Sequence, residues 1–412
     1  MTVGATRARS GPAMLTALGI DALGSGLYLP LSLIYFTLVS RIPLADVGFA
    51  LSASNAVTLM VPLISGICAD RFGPRRVVVV AQLLQAAGFC AYLAVHSLPT
   101  LLVATLVVGC GERTFWTTVY TLIAQSRSDG QLDTWYARVS VIRNLGLGAG
   151  TLLSGVALSI DSRPVYQGVV VANVLSFLVA AGLLGRFGAD AVRSGPRERT
   201  AGGYRTILRD RPFLAFTATN VAYSLCLTIV TVAMSVYVVD GLQGSGWLVG
   251  VLFAVNTGLI IVAQSRVTRA VAAARRTRVL AGAGALWVVW ALSLAAAPLL
   301  PRAALAPYLI AGIALFTLAE MMQSPTSTAL AAAVGEGRIQ GRYMAVYGYG
   351  YQLAKIIAPT LFAQLYGVRT ALPWLVLAAI AAVAVPLLLR LEHVLPARAL
   401  RPPSPAADGA TA

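Results

Sequence analysis

Apolar residues run through the chain in stretches of about twenty, each closed by a short polar or proline- and glycine-bearing break. The stretches 13–39, 46–67, 77–97, 99–124, 138–160, 165–186, 213–239, 246–265, 279–299, 305–330, 343–366 and 373–390 match the ~20 residues, at ~1.5 Å rise each, that an α-helix needs to cross hydrocarbon. Lipid offers no partner to a backbone N–H or C=O, so spanning segments must close their hydrogen bonds internally. The pattern therefore predicts an all-α membrane protein with twelve transmembrane helices joined by short connections.

Composition sharpens this reading. Hydrophobic residues make up 58% of the 412 and charged residues only 11%, with a mean hydropathy of +0.78, against about a quarter charged in soluble domains. A net charge of +16 would point to nucleic acid in a soluble chain, but here the arginines crowd onto one set of loops. Arg41, Arg163, Arg302 and Arg369 fall on the other set, and Arg113, Arg143 and Lys355 fall inside spans. The positive-inside rule then predicts that both termini are cytoplasmic in a multi-pass protein of the inner (cytoplasmic) membrane. It also accounts for the basic pI without a nucleic-acid partner. The first apolar segment follows Arg7 and Arg9 but is too long for a signal peptide and lacks a small-residue cleavage site, so it is expected to remain as the first helix.

Enzymatic chemistry is not expected. Cys68, Cys90, Cys110 and Cys226 lie in or at the ends of separate spans, without metal-ligand spacing, and read as packing residues. His96 and His393 offer no nucleophile–base arrangement. No G-x-x-x-x-G-K-S/T run is present to bind ATP. No metal and no cofactor is therefore anticipated.

The longest break, Phe187 to Pro212, is rich in arginine and glycine and divides the chain. The expected organisation is a six-helix bundle over 1–186, a cytoplasmic linker over 187–212, a second six-helix bundle over 213–395 and a disordered Pro/Ala-rich tail over 396–412. Within the linker, Tyr204 to Pro212 predicts a short amphipathic surface helix. Two similar halves are how many secondary transporters place a site at the midplane and expose it alternately to either side.

The loop between the second and third spans reads Gly66-Ile67-Cys68-Ala69-Asp70-Arg71-Phe72-Gly73-Pro74-Arg75-Arg76. It resembles the G-x-x-x-D-R-x-G-x-R-R/K signature of the major facilitator superfamily, matching at Gly66, Asp70, Arg71, Gly73, Arg75 and Arg76. The resemblance implies the major facilitator fold, two six-helix bundles with cytoplasmic termini, and a gating role for this loop. The fifth predicted helix carries Gly146, Gly150 and Gly155, similar to the G-x-x-x-G-P-x-x-G-G motif of the drug:proton antiporter branch. Thr151 stands in place of its proline and Ser154 in place of a glycine. The same spacing also serves generic close packing of membrane helices. The loop between the eighth and ninth spans keeps Arg266, Arg269, Arg275, Arg276 and Arg278 but no aspartate, which confines an aspartate-based latch to Asp70.

An ionisable group at mid-bilayer costs on the order of 2.5 to 3.5 kcal/mol on insertion scales and so asks for a partner, water or a function. Asp21, Glu112 and Glu320 are the acids in this position, Arg113, Arg143 and Lys355 the bases. In the superfamily the first, fourth, seventh and tenth helices line the central cavity, and the three acids fall on the first, fourth and tenth. The proton-coupling candidates are Glu320, roughly 15 Å by helical rise from its cytoplasmic end, then Asp21 and Glu112. Glu320 and Pro325 are similar to the acid followed by a proline on the tenth helix of proton-coupled multidrug antiporters. The competing reading is a set of structural ion pairs, Asp21 with Arg143 and Glu320 with Lys355. Substrate-cavity candidates are Tyr28, Arg113, Trp116, Tyr120, Arg143, Tyr223, Tyr347, Tyr351 and Lys355, the last three sharing one helical face. Such a lining suits large, partly aromatic ligands.

The expected function is a proton-coupled secondary transporter exporting drug-like compounds or secondary metabolites by alternating access. The alternatives are a proton symporter or uniporter importing a sugar, organic acid or other nutrient, and a transport-dead membrane sensor or lipid-handling protein. The expected partners are a small-molecule substrate, protons and the lipid bilayer, with the chain acting as a monomer.

Overall fold

The computed structural model describes residues 2–126, 132–186, 207–335 and 340–400, and all regular structure among them is helical. The helices are α1 (Thr2–Tyr28), the short α2 (Ile34–Leu38), α3 (Leu44–Val57), α4 (Val61–Phe72), α5 (Pro74–Tyr92), α6 (Leu98–Ser126), α7 (Leu132–Ile160) and α8 (Arg163–Gly185). They continue with α9 (Arg211–Val236), α10 (Gly246–Val271), α11 (Arg276–Ala296), α12 (Arg302–Val334), α13 (Gln340–Val368), α14 (Leu372–Leu391) and a terminal turn, α15 (Ala397–Leu400). Ten helical segments among the described residues are long and apolar enough to cross a membrane. The expected spans 77–97 and 343–366 fall on α5 and α13, which are not among those ten. The expected linker lies outside the described residues except for its last few, and so does the tail beyond Leu400. Residues 397–400 form α15, with Ala399 and Leu400 buried.

Prolines set the breaks within expected spans. Pro62 lacks an N–H and crowds the carbonyl of Thr58 four residues back, and there the chain tightens into a 3₁₀ turn, Thr58–Met60, that separates α3 from α4. Pro30 sits in a similar turn, Leu29–Leu31, after α1. Between α4 and α5, Gly73 takes φ +85° and ψ 140°, a region open in practice only to glycine, and Pro74 starts the next helix.

The chain divides into two compact units, Met1–Glu198 with Thr231–Ala254, and Arg199–Val230 with Val255–Ala412. In the first unit, Met14, Leu18, Val78, Ala81, Phe115, Val119, Val139 and Leu184 form a core contributed by α1, α5, α6, α7 and α8. Here α1 and α7 touch backbone to backbone: a Cβ on Gly150 would sit 2.6 Å from Leu27 N, and one on Gly26 would sit 2.8 Å from Leu147 Cα. Farther along α7, Gly155 meets Gly250 of α10 in the same manner, with only 2.7 Å between a built Cβ and Gly250 Cα. The motif-like glycines of α7 thus serve two contacts, Gly146 and Gly150 against α1 and Gly155 against α10. The second unit is packed on large rings: Trp290 meets Phe316 at 4.8 Å and Trp374 at 5.8 Å, and Tyr223 meets Trp287 at 5.2 Å between centroids.

Glycine-dependent packing has a direct test. Gly150→Leu should prevent the α1–α7 contact and abolish recovery of monodisperse protein in detergent, whereas Gly168→Ala, with nothing within 4 Å of its added carbon, should leave yield and melting temperature at wild-type levels.

Candidate functional site

Of the expected mid-helix carboxylates the first unit holds Asp21 and Glu112 and the second holds Glu320, and Asp21 and Glu320 are each met by a neutral carboxamide from a neighbouring helix. In the first unit Asp21 is 4% exposed on α1, and Gln82 Nε2 of α5 donates to its Oδ1 at 2.9 Å. Gln85, one turn along, donates to Gln82 Oε1 at 3.4 Å. Arg143 and Glu112 lie within electrostatic range of Asp21. Arg143 nevertheless makes no ion pair with Asp21 within 4.0 Å; its guanidinium stacks over Trp116 of α6, 4.3 Å from the ring centroid. A contact of that kind is worth ~0.5 to 2 kcal/mol, depending on desolvation.

Trp116, Tyr120 and Arg143 therefore come together, with the Trp116 and Tyr120 rings 6.1 Å apart and Tyr120 40% exposed. Arg113 is turned elsewhere, its Nε donating to Thr58 Oγ1 at 3.3 Å. Tyr28 is buried among Phe89, Tyr92 and Tyr35, which places its ring in the bundle interior. An apolar groove of ≈ 550 Å³ runs between α1 and α7, lined by Leu15, Gly19, Ile20, Leu23, Ile142 and Gly146 among others.

In the second unit Asn256 Nδ2 of α10 donates to Glu320 Oε2 of α12 at 2.9 Å and to Thr317 Oγ1 at 2.9 Å. Thr317 in turn donates to Ile313 O at 2.6 Å. Pro325 has no N–H, so the Met321 carbonyl loses its helical donor. Gln264 supplies a replacement from α10, its Nε2 donating to Met321 O at 3.1 Å. Asn256 and Gln264 are eight residues apart on one helix face, so α10 grips α12 with two side-chain amides on either side of the Glu320 region.

A second polar chain joins α9, α12 and α13. Gln323 Nε2 donates to Asn220 Oδ1 at 3.2 Å and Ser327 Oγ at 3.0 Å, and Ser327 shares a 2.6 Å hydrogen bond with the Tyr347 hydroxyl. The Tyr347 ring stacks on Phe216 at 5.8 Å. Tyr351 is 45% exposed and Lys355 half-buried on the same helix. Tyr223, by contrast, is packed in the aromatic core with its hydroxyl on Leu280 O at 3.0 Å.

In the signature loop Asp70, Arg71 and Arg76 are exposed, and Arg71 lies over Phe72 at 5.4 Å. Asp70 makes no ion pair among the described residues. Space around Gly66 is open to 4 Å, so only Gly73 is required by its backbone conformation. The loop before α11 finds its acid elsewhere. Glu392, just past α14, is 8% exposed and pairs with Arg275 and with Arg278, the latter at 3.2 Å, while Thr277 donates to it at 3.1 Å. Arg276 donates to Ala399 O at 2.9 Å.

Gln82, Asn256, Gln264, Gln323 and Glu392 were not singled out by the sequence. For the four amides the available signal was a carboxamide inside an apolar run, which membrane helices use for contacts between helices. A search for charge passes over it.

Comparison with known proteins places this geometry in context. The family model described as Major Facilitator Superfamily matches residues 14–318. The multidrug resistance protein MdtH of Salmonella typhimurium is 24% identical over 336 residues, covering 80% of this chain and 81% of that protein. A point mutant of the nucleoside transporter NupG superposes with TM-score 0.75 at 11% identity, over 92% of this chain and 99% of that one. A bacterial homolog of the human lysosomal transporter Spinster, inward-facing and unoccupied, gives TM-score 0.73 at 13% identity, over 97% and 99%.

The Glu392 cluster carries a pH prediction. Burial pushes this carboxyl up, but hydrogen bonds from Arg278, Arg275 and Thr277 outweigh it and hold the group at about 2, below its ordinary 4.5. Its stabilisation is therefore complete above about pH 4.5 and is lost as pH falls toward 2. The melting-temperature gap between wild type and Glu392→Gln should be constant from pH 8 to pH 5 and close below that; a gap that persists unchanged near pH 2 would contradict the assignment.

Proposed function

Because the chain belongs to the Major Facilitator Superfamily and is a membrane transporter of small molecules rather than an enzyme, we propose that it is a proton-coupled exporter of drug-like compounds or secondary metabolites. The observation that carries this reading is Glu320, a carboxylate inside an apolar helix whose hydrogen-bond partner is the neutral Asn256. An acid tied into a buried ion pair is held charged, whereas one facing an amide is free to change charge during a transport cycle.

In this reading the protein alternates access between the two sides of the inner membrane with both termini cytoplasmic. Glu320 takes up a proton in one state and releases it in the other, with Asp21 as the second carrier. Trp116, Tyr120 and Arg143 in the first unit offer stacking surfaces to a large aromatic or amphipathic substrate, and Tyr347 and Tyr351 in the second unit offer the same chemistry. The export direction is supported by the relation to proteins named for multidrug resistance. Asp70 is exposed and open to engagement, as a latch that closes in only one state requires.

The test is proton release from acidified everted vesicles on adding lipophilic cations, antibiotics, sugars or organic acids, comparing wild type with Glu320→Gln. Release evoked by the drugs and reduced at least tenfold in the variant is the expected result. Release evoked only by sugars or organic acids would make those the exported class in place of drugs, silence across the panel would replace export with nutrient import, and drug-evoked release unaffected by Glu320→Gln would remove this residue from coupling.

A further inference from the structure

A carboxylate only accepts hydrogen bonds, but the acid formed on protonation must also donate its O–H. An arginine or lysine partner has donors alone, so it meets the ionised form and leaves the acid's proton facing another donor. A carboxamide carries an NH₂ and a C=O on one pivot, and a half-turn about its terminal torsion exchanges them. It can therefore serve either protonation state from one position. In hydrocarbon, where an unmet buried polar group finds no water to take its place, that property matters most.

The observed contacts of Glu320 meet this requirement in the ionised state, and a turn of the Asn256 amide would extend it to the acid. Ionised, it accepts from Asn256 Nδ2, whose NH₂ also reaches Thr317 Oγ1, while the Thr317 hydroxyl donates to Ile313 O. With the amide turned, Asn256 Oδ1 occupies the same place and its two lone pairs can accept from the Glu320 O–H and from the Thr317 hydroxyl, which rotates off its own helix carbonyl. Gln264, bound to Met321 O, holds α10 against α12 without taking part in the exchange. The first unit repeats the arrangement with Gln82 on Asp21, backed by Gln85, whose amide must turn together with that of Gln82 to keep the bond they share, and with Arg143 and Glu112 as the charged groups in range.

We propose that Asn256 is a positioning residue whose reversible amide orientation allows Glu320 to gain and lose its proton without leaving a hydrogen bond unmet, and that Gln82 does the same for Asp21. This rests on the coupling role given above to the two carboxylates. The only bond made or broken is the carboxyl O–H, and the proton is exchanged with water reaching the site in each access state.

The experiment is acid-minus-neutral infrared difference spectroscopy of the full-length protein in liposomes, which reads the C=O stretch of a protonated carboxyl without any substrate. Four variants are compared with wild type: Glu320→Gln, Asn256→Lys, Asn256→Leu and Asn256→Gln, each first shown to be monodisperse. The expected result is a band in wild type that is lost in Glu320→Gln and in Asn256→Lys, shifted in Asn256→Leu, and restored in Asn256→Gln. Loss in Glu320→Gln with an unchanged band in Asn256→Lys or Asn256→Leu overturns the role of Asn256 and leaves the coupling role of Glu320 standing. A wild-type spectrum that Glu320→Gln does not alter removes the coupling role itself, and this inference with it. If Asn256→Lys alone fails to fold, the Leu and Gln variants decide.

Discussion

Hydrocarbon offers no hydrogen bonds, and from that constraint most of this structure follows. The backbone answers by closing every described element into helix, with breaks placed where a proline has removed a donor or a glycine allows a turn. Side chains answer by meeting each other across helices. The Met321 carbonyl freed by Pro325 is taken up by Gln264, and the carboxylates of Asp21 and Glu320 are taken up by Gln82 and Asn256. The same constraint that forces the fold also selects the chemistry available inside it.

Close helix approach is the second dependency. Between apolar helices in lipid the hydrophobic effect gives little preference for protein over lipid contact, so packing quality and polar contacts carry association. In the first unit, glycines bring the α1 and α7 backbones together and set Asp21 at a crossing where α5 can reach it. The second unit relies on interlocked tryptophan and phenylalanine rings around α11, α12 and α14. Outside the spans, where water is available, the chain uses full charge instead. Glu392 is held between two arginines at the start of α11, and its depressed titration keeps it ionised throughout the physiological range.

Much of the fold was legible in the residue pattern, because a membrane span needs both length and apolarity and both are local properties. The expected spans fall on helices, ten segments of which among the described residues are long and apolar enough to cross a membrane, and the signature loop identified the family later matched over residues 14–318. The candidate site was less legible. Asp21 and Arg143 lie at similar depth and looked like an ion pair, yet α1 turns the acid toward α5 while Arg143 stacks on Trp116. Tyr28 and Tyr223 read as cavity aromatics, but rotation of their helices puts them among Phe89 and Tyr92, and against Trp287. Depth follows from counting along a helix, whereas direction depends on what the neighbouring helices present.

The sequence by itself determined which segments are helical, which ionisable groups lie within them, and where glycine or proline must interrupt a run. It also supplied the signature loop, because that motif is contiguous. Only the tertiary structure decided who meets whom. Gln82 reaches Asp21 across 61 residues, Asn256 reaches Glu320 across 64, and Glu392 reaches back 117 residues to Arg275, supplying the acid that the loop before α11 lacks. The physical reason is that helical hydrogen bonds close within one turn and are written in local composition, while a side-chain partner on another helix is selected by packing, which no stretch of sequence contains.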